Sequence, residues 1–269
     1  MQFVKPVPFH EALEKIGKRS PIGSRLNSSE WSKVSVELRE RAFFSSRVES
    51  ARFLQRAKDG ITDFLAANTE KLPSGETALK TGSRAQFIEQ MREMAISEGM
   101  GPLVPEDKGT LKDITSEGRL GLIFDVQTRQ AQDYGWHKQG LDPDVLNEFP
   151  AQRFIRVKGV KEPRGDHAEY EGKVFLKTDP IWRTINKDFG VPWGPWGWGC
   201  GHDVEDVDRQ EAEALGLISP RKKVEAPPHP FNSGLKASTR GLDFEIFQKL
   251  KDDLGDSVSE QEGEIRWSE

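Results

Sequence analysis

Pro192-Trp193-Gly194-Pro195-Trp196-Gly197-Trp198-Gly199-Cys200-Gly201-His202-Asp203-Val204 carries neither a helical nor a strand periodicity. Three indoles alternate with glycine and proline. Flat rings spaced by glycine have two uses. They form a mini-core, in which the rings supply burial that regular structure does not and the glycines let the backbone pass close. Or they stack on nucleic-acid bases. Arg183 and Lys187 are nearby but make no basic stripe, which favours the mini-core. The same stretch opens upstream with Arg164-Gly165-Asp166-His167. It continues through Tyr170-Glu171-Gly172-Lys173-Val174-Phe175 and Asp179-Pro180-Ile181-Trp182. From Arg164 to Val204 the chain reads as a folded knot that the remainder positions.

The chain's one cysteine lies in this knot. His167, Cys200 and His202 offer two imidazoles and a thiolate, a donor set that suits zinc, and Asp166 or Asp203 would complete a tetrahedron. The spacing matches no zinc finger. In the alternative reading Cys200 is a small buried residue and the histidines are hydrogen-bonded or exposed. Cys200 with His202 also has the parts of a nucleophilic pair, but glycines flank the cysteine and no helix begins there to activate it. A nuclease built on His167 with Arg164, Glu169 or Glu171 is a further reading, because a histidine base and an arginine for phosphate are sensible parts. Against it, charges in a turn between strands are commonly just solvated.

Outward from the knot, Phe154-Ile155-Arg156-Val157 and Val174-Phe175-Leu176 are β-prone. Residues 206–217 predict a short helix capped by Asp208. Residues 221–230, with Pro227, Pro228 and Pro230, predict an extended linker. A last helix over 243–254 is expected to precede an acidic, mobile tail. Before the knot the pattern is helical. Ser28 and Ser29 are expected caps for a helix whose face carries Trp31, Val34, Leu38 and Ala42. A second helix spans about 48–68, with Leu54, Ala57, Ile61, Phe64 and Leu65 as its apolar stripe. A third spans 83–98 and ends before Gly99. A fourth spans about 111–136, weakened at its start by Gly118 and Gly121. Residues 1–27, with Pro6, Pro8 and a short helix near 9–18, read as an arm or strap. The expected fold class is α+β: a mainly α-helical N-terminal half and a small irregular β-containing C-terminal module with the Trp/Gly-rich knot. The expected regions are 1–150, helical and docking; 151–218, the α+β motif region; and 219–269, linker, helix and tail.

Length and composition agree with this reading. The 269 residues are 35% apolar and 31% charged. That is enough for a core but lean for one compact enzyme. The net charge of −5 argues against a globally basic nucleic-acid binder. One cysteine excludes an internal disulfide and fits a reducing cytosol. No apolar run approaches the roughly 20 residues of a membrane span, and residues 1–10 lack a secretory pattern.

The order Arg164-x-x-His167, Tyr170-Glu171-Gly172, Asp179-Pro180-Ile181-Trp182, then Gly197-Trp198-Gly199-Cys200-Gly201-His202-Asp203-Val204 resembles the phage Mu F-like minor head protein family, the head morphogenesis domain. The helix that follows, Asp206 to Gly216, and the opening from Pro6 to Leu13 are similar to the family's. His202 stands where the family has the second cysteine of a Cys-x-Cys pair. If that pair binds metal, the ligand count is kept; if it is a disulfide, this chain cannot form it. The resemblance implies a minor virion protein of a tailed phage or prophage, made in the bacterial cytoplasm and present in several copies. Its implied partners are the portal or major capsid protein, possible contact with phage DNA is also implied, and a membrane is not. Zinc at His167, Cys200 and His202 is the one cofactor expected. A nuclease or nucleic-acid-binding module is the alternative function.

Overall fold

The computed structural model describes residues 10–75, 77–157, 165–198, 200–227, 236–239, 242–255 and 258–267. Expectations that rest on Pro6, Pro8, Arg164, Gly199, Pro228 and Pro230 lie outside them. The chain divides into two compact units. One comprises Met1–Ala131 with Asn232–Glu269, the other Gln132–Phe231.

The first unit is helical. Helix α1 (His10–Gly17) is not a loose strap, because Ala12 and Ile16 are fully buried. A two-residue strand β1 (Ser20–Pro21) pairs in parallel with β2 (Ala42–Phe43). Between them the single helix expected near Trp31 is two short ones, α2 (Ser28–Ser32) and α3 (Val36–Arg41). The cap of α2 is Asn27, one residue before the serines. Its side chain accepts from the backbone of Ser29 and Glu30, and Glu30 accepts in return from the backbone N–H of Asn27 at 2.8 Å. That reciprocal box sets where α2 starts. The break after Ser32 still leaves Trp31, Val34, Leu38 and Ala42 buried, so the periodicity locates the inner face although the backbone is interrupted.

Helix α4 (Ala51–Leu65) is capped by Ser50, whose hydroxyl accepts from Phe53 N at 3.0 Å. A hairpin, β3 (Thr69–Lys71) with β4 (Thr77–Leu79), leads to α5 (Arg84–Ser97), close to the expected 83–98 and capped by Ser83. Gly99 adopts a positive φ of 70°, and Met100 N reaches back to Ala95 O at 2.9 Å, closing the helix. Helix α6 (Glu117–Gly140) begins six residues later than expected. Residues before it are held in turns by Asp113, which accepts from the backbone of Gly109 and Thr115. Ile16, Phe53, Leu54, Ile61, Phe87, Met91, Leu120 and Phe124 form the main core of α1, α4, α5 and the first half of α6. The residues of α6 to Ala131 belong to the first unit, and those from Gln132 to the second.

In the second unit, α7 (Pro143–Glu148) precedes β5 (Ala151–Arg156). Then come α8 (Gly165–Ala168), β6 (Val174–Leu176), α9 (Ile181–Ile185), β7 (His202–Val207) and α10 (Arg209–Ala214). The sheet is antiparallel in the order β6-β5-β7. Strand β7, unexpected from its charged sequence, pairs along all of β5, from Ala151 opposite Val207 to Arg156 opposite His202. Asp208 caps α10 as expected, accepting from Glu211 N at 2.8 Å.

The chain then returns to the first unit through β8 (Lys236–Ser238) and α11 (Phe244–Leu254), ending in β9 (Val258–Gln261) and β10 (Glu264–Trp267). The acidic end is therefore no mobile tail. It forms a three-stranded sheet, β8-β10-β9, with Ile265 buried. Ile246, Leu250, Leu254 and Ile265 complete a second core with Leu26, Trp31, Leu38 and Phe44, in which Trp31 and Phe44 stack at 4.0 Å. Asp253 pins this return, accepting from Ser24 Oγ, Arg25 N and Arg25 Nε at 2.9–3.0 Å. The fold class is thus α+β, as expected. Among the described residues no helix is long and apolar enough to cross a membrane.

Candidate metal centre

The sheet brings the three candidate ligands together. His167 sits in α8, Cys200 two residues before the start of β7, and His202 at the first position of β7. The register of β7 against β5 places the His202 ring over Phe154, stacked at 4.9 Å with 11° between planes. Val157 N donates to Gly201 O at 2.8 Å, extending the ladder one residue beyond His202, to the neighbour of Cys200. On the opposite edge, Gly172 at φ 79° makes the turn into β6 and donates its N–H to Phe154 O at 2.8 Å. That turn keeps α8 beside the sheet.

The Asp179-Pro180-Ile181-Trp182 step has a local job. Asp179 Oδ1 accepts from Ile181 N at 2.8 Å, starting α9, and Trp182 Nε1 donates to Leu176 O at 2.8 Å. Trp182 is thereby locked under Phe154 and Trp196 in one small cluster with Ile185. Trp182, Trp193 and Trp196 are buried and Trp198 is half-buried against Phe189, so these rings serve as core.

His167 Nδ1 lies 3.1 Å from Cys200 Sγ, and His202 Nδ1 lies 3.4 Å from the same sulfur. The ligand atoms of the three residues all fall within 4.8 Å of one another, and the group can hold a metal ion. Ligand bonds of about 2.0–2.3 Å in a tetrahedron put sulfur and nitrogen about 3.5 Å apart. The two observed separations are close to that edge. Both histidines are buried, at 2% and 5% exposure.

The ring nitrogens reveal the tautomers. His167 Nε2 is 3.0 Å from the carbonyl of Ile185. A carbonyl only accepts, so Nε2 carries the hydrogen, and in the neutral ring, the form that binds a metal, Nδ1 presents its lone pair toward Sγ. His202 Nε2 is buried without a hydrogen-bond partner and faces Glu171 Oε2 at 4.0 Å. The carboxylate favours a hydrogen on Nε2, which again leaves the Nδ1 lone pair aimed at the sulfur. A thiol has one hydrogen and cannot serve two such lone pairs. A cation among the three atoms serves all of them. A backbone carbonyl behind one imidazole and a carboxylate behind the other is the arrangement that orients metal-bound histidines.

Burial pushes the His202 imidazole below its ordinary value, with the neighbouring His167 as the next cause and Glu171 opposing both. The neutral ring is the ligand form. Asp166 faces Lys187 at 3.5 Å, and Asp203 accepts from Val204 N at 2.9 Å; neither belongs to the triad. The nuclease arrangement fares differently. His167 is enclosed with both nitrogens engaged inside the protein, and Arg164 lies outside the described residues.

Residue-type reasoning missed the supports: the Phe154 ring, the Ile185 carbonyl and the Glu171 carboxylate behind His202. It also missed a cavity of about 450 Å³ lined by Asp133, Trp136, His137, Trp193 and residues of β7. The available signal was the spacing of Asp133 and His137, one helical turn apart on α6.

No family model matches the chain, and no solved structure matches it. The Mu-like prophage FluMu F protein of Haemophilus influenzae (strain Rd) is 25% identical over 137 residues, which is 51% of this chain and 30% of that protein. The match thus spans less than a third of the length of that curated relative. It bears out the resemblance read from the motifs.

Proposed function

We propose, from the premise that this chain is Mu F-like, that it is a minor head protein of a tailed phage or prophage and works by contact within the assembling particle. The portal or the major capsid protein is the partner in this reading, the chain is present in several copies, and the virion is its destination. The observation that carries the proposal is the shared sequence with a Mu-like prophage F protein over half of the chain. The geometry is in keeping with it. The triad is enclosed in a small core, as a structural site is, and not set in an open cleft. Large apolar side chains stand exposed between the end of α5 and the start of α6, at Ile96, Leu103, Val104 and Leu111, and exposed apolar surface of this kind suits contact with other chains.

In the same reading the triad holds zinc as a structural ion. Two nitrogens and a thiolate suit zinc better than calcium or magnesium, which take oxygen ligands. His167, Cys200 and His202 would bind it, and water or another group would take the fourth position.

Deletion of the gene followed by electron microscopy and mass spectrometry of purified particles tests the assembly role. The protein is expected in wild-type particles, and its loss is expected to reduce complete heads. Normal, infectious particles that never contain the chain would overturn the proposal. Metal analysis of protein purified without added zinc tests the ion, with one zinc per chain expected.

A further inference from the structure

The metal centre makes no use of the cavity in the second unit. Its volume of about 450 Å³ is that of a small-ligand pocket. The carboxylates in its wall call for no cation. Asp133 and Asp203 have partners within the protein, Asp203 accepting from Val204 N at 2.9 Å. Asp206 Oδ1 pairs with Lys177 Nζ at 2.9 Å and accepts from Gln152 Nε2 at 3.0 Å. The guest that suits this lining is therefore neutral.

What the wall leaves open is a mixture of acceptors and donors. Gln152 Oε1 and Asp206 Oδ2 take no hydrogen bond among the described residues, and the exposed Gln139 amide has no partner among them. Trp196 adds a buried donor. Its ring is 2% exposed, and its Nε1 has no hydrogen-bond partner. That nitrogen stands beside Gly194, also in the wall, where an added Cβ would lie 3.5 Å from it. An indole N–H only donates and a carboxylate or amide oxygen only accepts, whereas a hydroxyl does both. A guest with several hydroxyls meets all of these groups without carrying charge.

The remainder of the wall is flat and apolar. Trp136 is 55% exposed, and Trp193 lines the same space from a buried position. An indole face buries apolar C–H surface and leaves the edge of its guest to hydrogen-bond. A sugar ring is built that way, with C–H groups on its faces and hydroxyls around its rim. An extended peptide brings one N–H per residue and supplies fewer donors to the waiting acceptors.

We propose that this cavity binds a neutral saccharide. One ring stacks on the Trp136 indole, a hydroxyl oxygen accepts from Trp196 Nε1, and other hydroxyls donate to Gln152 Oε1 and Asp206 Oδ2. The inference goes beyond the assembly reading and does not depend on it, because binding is measured on the isolated chain and assembly on particles.

The test titrates isotope-labelled full-length protein with maltose, cellobiose, lactose and chitobiose, following the indole N–H resonances. At least one of these disaccharides is expected to shift the Trp196 and Trp136 resonances saturably. It is expected to bind about tenfold more tightly than sorbitol, which has the hydroxyls without a ring face. Trp136→Ala is expected to weaken that binding about tenfold with thermal melting unchanged. If that variant fails to fold, Gln139→Ala on the exposed surface is expected to weaken binding severalfold. The proposal is overturned by no saturable shift with any of the disaccharides, by equal binding of sorbitol, or by an end-blocked Gly-Pro-Gly peptide that shifts Trp196 as strongly as the best disaccharide.

Discussion

In the first unit the interior mixes aliphatic and aromatic side chains and repeats with the helix, as in Phe53, Leu54, Ala57, Ile61 and Leu65 along α4. In the second the interior around the triad is aromatic and irregular: Phe154, Trp182, Trp196 and the rings of His167 and His202. The contrast follows from element length. Helix α4 has 15 residues and buries a stripe, whereas β6 has three and α9 five. Short elements bury little each, so each buried residue must contribute a large area, and polar pins must hold what periodicity does not. Such a centre is compact but depends on few groups.

That dependence can be broken most severely at Trp182. Trp182→Ala removes a fully buried indole and its bond to the Leu176 carbonyl. The expected cost is about 3–5 kcal/mol in denaturant unfolding, concentrated in the second unit. Removing the metal is the next largest effect. If zinc is bound with the free ion at a thousandfold excess over its dissociation constant, chelation removes about 4 kcal/mol. Cys200→Ala should then melt like the chelated wild type, and chelator should not change the melting of that variant. A chelator without effect on wild type, beside a destabilised Cys200→Ala, would leave only packing at the triad.

The first unit should respond to different changes. Asp253→Ala leaves Ser24 and Arg25 without their acceptor and loosens α11, at an expected cost of about 1–3 kcal/mol. Hydrogen exchange should rise in α11 and β10 and not in β5.

Acid separates the two units further. In the metal-free chain the folded state holds His202 below its ordinary 6.5, chiefly by burial, so the unfolded chain binds the proton more readily. Its contribution is present above pH 6.5 and is lost as pH falls through the folded value. Glu30 is held below its ordinary 4.5, first by the hydrogen bond from Lys249 and then by the backbone of Asn27. Its contribution is present above pH 4.5 and is lost in stronger acid. The second unit is thus expected to weaken first as pH is lowered, and the α2–α11 core only later. Urea unfolding followed by unit-specific probes checks the order. His202→Gln should flatten the first window and Glu30→Gln the second. The smallest effect belongs to Trp198→Ala, roughly 1–2 kcal/mol, because that ring is half-buried.

Periodicity placed the inner faces of α4 and α5 and the buried set Trp31, Val34, Leu38 and Ala42, because burial on a helix recurs every three to four residues. The cap was legible at Asp208, where a side-chain oxygen must meet free N–H groups. The capping box at Asn27 was one residue off, since adjacent Asn and Ser can both serve. Strand β7 was not legible. His202-Asp203-Val204-Glu205-Asp206-Val207 is charged, and only pairing with β5 makes it a strand. The hairpin at the acidic end was hidden for the same reason.

Residue chemistry alone therefore determined the α+β class, the helical stripes, and the choice of His167, Cys200 and His202 as a possible ligand set. Those depend on side-chain type and on spacing along the chain. Only the tertiary structure decided that His167, 33 residues before Cys200, lies 3.1 Å from its sulfur. It likewise decided that the last helix completes a core begun at Leu26, and that three indoles and three carboxylates enclose one cavity. Contacts between distant segments are set by how strands pair and helices pack, and no local pattern records them.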